Sequence, residues 1–299
     1  MTATQPSRAL PASTVVVLRD CPEALGQPEV FLVRRHGASG FMAGATVFPG
    51  GKVDPADYRV TSAGQSAEQC ALSLQMSDHQ AARAYYIAAI RELHEEAEIV
   101  LARTSKGTFA DPKTLSELHR EMRALRQGHR IEADAVHALW QRHGLQPALD
   151  CLHPFAWWVT PSVEPKRFDT RFFVATLPAG QQGHIDGFET TAQHWLSAES
   201  ALQEHERGGD LYLPPPTLHT LQRIASLRGP SADIAKRLTA RGIGPKIEPF
   251  VQRQTDGSPM IALPDDPIHP QSDHADPRRN RFVMRQGRFH RQSTGDDLM

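Results

Sequence analysis

The chain has 299 residues, enough for one elaborated domain or two small ones, and 39% hydrophobic with 22% charged residues is an ordinary globular balance. Its 33 Lys+Arg against 34 Asp+Glu leave a net charge of −1, which excludes a strongly basic nucleic-acid binder and a disordered polyelectrolyte. No apolar run approaches the roughly 18 residues of a membrane span, and three scattered cysteines, Cys21, Cys70 and Cys151, suggest no disulfide framework. A soluble protein of the reducing cytoplasm, with no nucleic-acid or membrane partner, is therefore expected.

Residues 13–19 (STVVVLR) are rich in β-branched side chains and predict a strand. Two prolines and a glycine in 20–28 predict a turn, and 30–35 (VFLVRR) the returning strand of a hairpin. Thr46-Val47-Phe48 is a short strand broken by Pro49-Gly50-Gly51, and 54–77 reads as an insertion of loop and short helix. From Asp78, an N-cap residue, Tyr86, Ile90, Leu93, Ala97 and Val100 recur at the spacing of one helix face. Two further helical patterns, near 113–126 and 132–143, make a helical insert. Strands are predicted over 154–160 and 167–176, and helices over 198–207 and, opened by Pro214-Pro215-Pro216, over 217–227. After Gly244 come three β-like pieces, 246–252, 259–263 and 281–285, the last two separated by a Pro/Asp/His-rich loop. This order predicts an α/β or α+β mixed-sheet sandwich rather than a doubly wound parallel sheet.

Chemistry concentrates in Ile90-Arg91-Glu92-Leu93-His94-Glu95-Glu96. At about 100° per residue, Glu92, Glu95 and Glu96 share an arc of about 100° beside the apolar Leu93 stripe. Carboxylates at i,i+3 and i,i+4 repel. A bound hard cation would turn that repulsion into ligation, whereas a solvated acidic face is the plain alternative.

Context favours the cation. Upstream lies Phe48-Pro49-Gly50-Gly51-Lys52-Val53-Asp54, a strand ending in a Gly-Gly turn that admits close backbone approach. A glycine turn feeding a helix with Arg-Glu-x-x-Glu-Glu resembles the Nudix hydrolase family, whose motif reads G-x5-E-x7-R-E-U-x-E-E-x-G-U, with U aliphatic. Gly51 matches the first glycine and Asp57 stands at the glutamate position; Arg91, Glu92, Leu93, Glu95 and Glu96 match the second half, and Ile99 the final aliphatic place. Two departures stand out. Residues 58–83 are inserted within the box, and Glu98 replaces the second glycine, so the helix is expected to run on through Val100 and Leu101. An inserted box resembles the branch that includes a peroxisomal coenzyme A diphosphatase. Trp158-Val159-Thr160-Pro161, the 167–173 segment and Leu213-Pro214-Pro215-Pro216-Thr217 support that branch.

The resemblance implies a Nudix-type α/β/α sandwich over 10–228, with insertions at 58–83 and about 105–150, and a C-terminal extension over 229–299. It implies Mg2+ or Mn2+ held by Glu92, Glu95, Glu96 and the Gly51 carbonyl, with Arg91 orienting a carboxylate. Family members take the general base from the box or from a later loop, where Glu189 is the candidate; Asp57 either binds metal or supports Arg91. For a phosphorylated nucleotide substrate, Arg34, Arg35, Lys52, Lys166, Arg167 and Arg171 are candidate phosphate contacts, and one of Trp157 and Trp158 a stacking surface. The implied reaction cleaves a diphosphate, in coenzyme A or acyl-coenzyme A, to 3′,5′-ADP and a phosphopantetheine. The alternatives are ADP-ribose, a dinucleotide or a nucleoside triphosphate as substrate, or a non-catalytic nucleotide-binding module. A homodimer is in keeping with the family. His94, at a variable box position, and His269, His274 and His290 match no zinc spacing.

Overall fold

The computed structural model describes residues 7–293 except 22, 24–25, 38–41, 127–129, 186 and 273–278. His274 and the end of the Pro/Asp/His-rich loop lie outside the described residues.

The first half carries β1 (Leu10–Arg19), β2 (Glu29–Arg35), β3 (Thr46–Val47), β4 (Gly50–Lys52), a 3-10 turn (Pro55–Tyr58), α1 (Ala67–Leu74) and α2 (His79–Ala97). The helical insert follows as β5 (Ala102–Thr104), α3 (Pro112–Arg126), α4 (Ala133–Arg142) and β6 (Leu145–Pro147). Next come β7 (His153–Val159), β8 (Phe168–Thr176), β9 (Thr190–Ser197), α5 (Ala198–Glu206), α6 (Pro215–Ala225) and α7 (Ser231–Thr239). The chain closes with β10 (Lys246–Ile247), β11 (Phe250–Arg253), β12 (Pro259–Ala262), β13 (Asn280–Arg285) and β14 (Arg288–Ser293).

Eight strands form one mixed sheet in the order β10-β7-β8-β1-β2-β3, with β4 also on β1 and β9 also on β2. β1 runs parallel to β8 and antiparallel to β2 and β4. The period of two decides which layer each residue joins. Val15, Val17, Phe31, Val33, Phe173 and Ala175 face α2 and the insert, sharing a core with Tyr86, Ile90, Leu93, Leu118, Val136 and Trp140. Their neighbours Val16, Leu18, Val30, Leu32 and Val174 face the other way, against Leu218, Leu221, Ile234 and Leu238 of α6 and α7. Each such fully buried side chain contributes roughly 1.5–3 kcal/mol of transfer free energy. The result is an α/β/α sandwich with a mixed sheet.

The extension is continuous with this second layer. α7 packs on the sheet and β10 adds to its edge beside β7. Strands β11–β14 make a separate antiparallel sheet whose Phe282 and Phe289 enter the second core, with Leu263 just after β12. Asp266 fixes that sheet: buried, it takes two bonds from Arg281 (2.8 and 2.7 Å) and the backbone N–H of Ile268 and Asn280.

The short strands β5 and β6, and β9, α7 and β14, lacked a sequence signal. β9 (TTAQHWLS) has a polar first half and is a strand because β2 offers it a free edge. α7 follows Pro230 and is helical because its apolar side lands on the sheet.

Candidate active site

α2 begins at the expected N-cap, where the Asp78 side chain accepts from the Ala81 N–H (3.0 Å). It does not run on through Val100 and Leu101, as the missing glycine suggested. It stops at Ala97, and Glu98 itself takes the left-handed conformation, with φ 51°. That backbone costs an L-residue roughly 1–2 kcal/mol. Arg123 of α3 offsets part of it with two 2.7 Å bonds to the Glu98 carboxylate. The turn usually made by glycine is thus kept by a glutamate held from the insert.

At the other end of the site the chain passes close to α2. A Cβ on Gly50 would lie 2.2 Å from the Ser13 carbonyl, and one on Gly51 2.4–2.5 Å from the Glu92 carboxyl group. At Gly50 only glycine admits the approach, and at Gly51 any side chain would displace the Glu92 carboxylate. The Gly50 N–H donates to Glu96 Oε2 (3.0 Å).

Arg91 is the hub. Only 1% of its side chain is exposed, and all its bonds stay inside the box. It grips Asp57 with two bonds (2.9 and 3.0 Å) and donates to Glu92 (2.9 Å), Glu95 (2.8 Å) and the Lys52 carbonyl (2.9 Å). Asp57 therefore supports Arg91. It also caps the turn before α1 through the Asp54 N–H, and His137 Nε2 of α4 stands 3.1 Å from it, off the hydrogen-bond line. Burial alone would raise the Asp57 carboxyl, but the contacts from His137 and Arg91 outweigh it and hold the group below its ordinary value.

Asp57, Glu92 and Glu95 are buried around this one buried guanidinium, with Glu96 buried beside Gly50, and the surplus negative charge registers in the titration of Glu95 and Glu96. Burial and the Glu92 charge push Glu95 up to about 8, and the same two causes push Glu96 well above the usual carboxylate range. A divalent ion is the complement of such a set, since hard oxygen ligands suit it. Among the described residues no three acidic, histidine or cysteine side chains converge on one ion-sized point as they stand. Glu92 and Glu95 each turn one oxygen to Arg91, and Glu96 turns one to Gly50. Each keeps a second oxygen, and an ion that retains waters needs few protein ligands.

Glu189, one-third exposed, lies before β9 and adds its charge to the environment of Glu96. Arg35 acts electrostatically on Glu96 too, and its buried Nε has no hydrogen-bond partner among the described residues. Arg34 instead acts on His194, which burial and that charge lower. The Lys52 side chain is exposed, and only its carbonyl enters the site. Arg167 is tied to Glu248 (2.6 Å), the Thr160 carbonyl (3.0 Å) and the Ser7 carbonyl (2.8 Å), an anchor between β8 and the extension. Lys166 covers the Phe168 ring. Arg171 is stacked on Trp157 (3.9 Å) and paired with Asp169. Trp157 and Trp158 point to opposite faces, Trp158 into the second core.

His94, His269 and His290 have structural roles. His94 is fully buried and accepts from Trp140 Nε1 (3.0 Å); burial holds it well below its usual range. His269 contacts the Glu248 carbonyl and His290 contacts Glu206. Two site residues carried no sequence signal, His137 on α4 and Arg130 just before it. Arg130 stands 3.7 Å from Glu92 and 3.9 Å from Glu189. Nothing local in the insert foretells that it folds back on the box.

Comparison with known proteins places this geometry. The human acyl-coenzyme A diphosphatase NUDT19 is 28% identical over 335 residues, covering 97% of this chain and 84% of that protein. The Xenopus laevis protein of the same name is 24% identical, covering 88% and 80%. A crystal structure of a NUDIX hydrolase from Alicyclobacillus acidocaldarius superposes with TM-score 0.59 at 27% identity, covering 80% of this chain and 99% of that one. A sequence model of the NUDT19 Nudix domain matches residues 67–224, just over half of the chain. With the box carboxylates gathered around Arg91, the chain belongs to the Nudix family, in the group that the NUDT19 Nudix domain defines.

Proposed function

We propose that this protein is a divalent-metal-dependent diphosphatase acting on coenzyme A or acyl-coenzyme A, releasing 3′,5′-ADP and a phosphopantetheine. The observation that carries the reading is the buried carboxylate set beside a Gly-Gly approach, Glu92 and Glu95 fixed by Arg91 and Glu96 by the Gly50 N–H. A non-catalytic module has no use for so costly an arrangement, because buried uncompensated carboxylates destabilise a fold. The coenzyme A class rests on similarity to the acyl-coenzyme A diphosphatases along most of the chain.

In this reading Glu92 and Glu96, with Glu95 and the Gly51 carbonyl, hold Mg2+ or Mn2+. Held there, such an ion would supply charge compensation for the phosphates and a lowered pKa for its water. The residues do the rest. Arg91, engaged on every side, keeps Glu92 and Glu95 in place and leaves no donor for substrate. Glu189, partly solvated and at the rim, accepts the proton of the attacking water. Arg35 acts on Glu96 through its charge and is suited to a phosphate oxygen. Residues 10–228 form the catalytic unit, and side chains of the C-terminal extension 229–299, among them Ile234, Leu238, Phe282 and Phe289, close its second layer. Three free cysteines suit a reducing compartment, and the cytoplasm is the proposed one. No helix among the described residues is long and apolar enough to cross a membrane.

Glu96→Gln is expected to abolish hydrolysis while the fold persists; full activity would reject the metal assignment. A substrate panel with Mg2+, scored by product mass, tests the substrate class. Coenzyme A left intact while ADP-ribose or NADH is cleaved would overturn it.

A further inference from the structure

The insert reaches the box through three arginines. Arg123 binds Glu98 at the end of α2. Arg126, buried, donates to the Glu95 carbonyl (2.9 Å) and lies over the Phe188 ring (5.9 Å), next to Glu189. Arg130 follows four positions on and differs from both. Its guanidinium approaches Glu92 to 3.7 Å and Glu189 to 3.9 Å, and Glu95 feels its charge. At these distances they are ion pairs rather than hydrogen bonds. Its side chain is 48% exposed. Arg91 is the opposite case, buried with its donors engaged.

A half-exposed arginine held by charge alone, between a box carboxylate and the rim carboxylate, can exchange one anionic partner for another. A divalent ion arriving on Glu92 would repel it, and a diphosphate arriving on that ion would attract it. The planar fork of a guanidinium matches two phosphate oxygens. We propose that Arg130 is a substrate-binding residue that grips the diphosphate, and that in the free protein it stands in for the cation between Glu92 and Glu189. The inference rests on the diphosphatase reading for the identity of the bound anion. It gives the helical insert a part in recognition as well as in packing.

The two halves of the proposal have opposite signs in one variant. In Arg130→Gln, Mn2+ titrated alone into the protein by calorimetry is expected to bind about threefold more tightly, because a competing cation is gone. Inorganic pyrophosphate added with saturating Mn2+ is expected to bind about tenfold more weakly, with KM for coenzyme A rising similarly and kcat falling less. Arg130→Lys keeps the charge without the fork, so it is expected to restore the wild-type Mn2+ affinity but only part of the pyrophosphate affinity. A merely structural role would weaken both bindings together. Equal or weaker Mn2+ binding in Arg130→Gln, or unchanged pyrophosphate binding, overturns the proposal. The pyrophosphate measurement is read whether or not coenzyme A is hydrolysed, so a wrong substrate class and a wrong role for Arg130 are told apart. Arg130 is half exposed and makes no hydrogen bond among the described residues, so both variants are expected to fold.

Discussion

Replacing Arg91 with glutamine removes its two bonds to Asp57, those to Glu92 and Glu95, and the one to the Lys52 carbonyl. The carboxylates stay behind in a site where each is at most 5% exposed. Removing one partner of a buried ion pair costs about 3–5 kcal/mol. Glu95, already pushed up to about 8, takes up a proton readily and relieves part of that cost, so the lower end of the range applies near neutral pH. At roughly 2–4 °C per kcal/mol for a domain of this size, the metal-free variant should melt about 6–12 °C below wild type. The assay is thermal unfolding by circular dichroism in EDTA at pH 7, with Asp57→Asn and the double variant completing a cycle. The two single changes should be strongly non-additive, because each removes the same pair. A drop in Tm under 3 °C for Arg91→Gln, or simple additivity, would refute the claim that this guanidinium holds the box together.

Other outcomes follow from the same structure. The folded-state value of Glu95 is raised above its ordinary 4.5 to about 8, so keeping it ionised destabilises the fold increasingly as pH rises through that window. Metal-free protein should therefore gain stability as pH falls from 8 toward 5, and saturating Mg2+ should flatten the slope; unfolding curves across that range in EDTA and in Mg2+ check this. Asp57 has the opposite sign: its lowered value gives stability that is present above about 4 and lost as pH falls below it. Glu98→Gly relieves the left-handed backbone but loses the Arg123 pair, which is partly exposed and worth at most about 1 kcal/mol. It should be near neutral in Tm, whereas Glu98→Ala, which keeps the strain, should be less stable than Glu98→Gly. Asp266→Ala should loosen the C-terminal sheet, seen as faster limited proteolysis within 250–293, with a stability loss of about 3 kcal/mol for the abandoned Arg281.

Much of the α/β/α sandwich was legible because local patterns and burial agree. The β-branched run 13–19 marked a strand, whose pleat in the fold sends Val15 and Val17 to one layer and Val16 and Leu18 to the other, and the helical spacing from Tyr86 to Ala97 put Leu93 in the core with the carboxylates beside it. Motif spacing brought Gly51, Asp57 and Arg91 into one box although 34 positions separate the last two. What escaped were features whose cause is a distant partner. β9 is a strand because β2 has an open edge, and Glu98 ends a helix because Arg123 meets it. Arg34 and Arg35 are adjacent and alike in sequence, yet only Arg35 acts on a box carboxylate, while Arg34 acts on His194.

The residues by themselves determined a neutral chain with a carboxylate helix, a glycine turn and two layers of apolar side chains. Those follow from periodicity and charge, which are properties of neighbours along the chain. Only the tertiary structure decided that Arg91 is wholly engaged, that Arg167 is an anchor of the extension, and that the insert returns Arg130 to the rim of the box. Hydrogen-bond partners and desolvation arise from contacts far apart in sequence, and they exist only once the layers have packed.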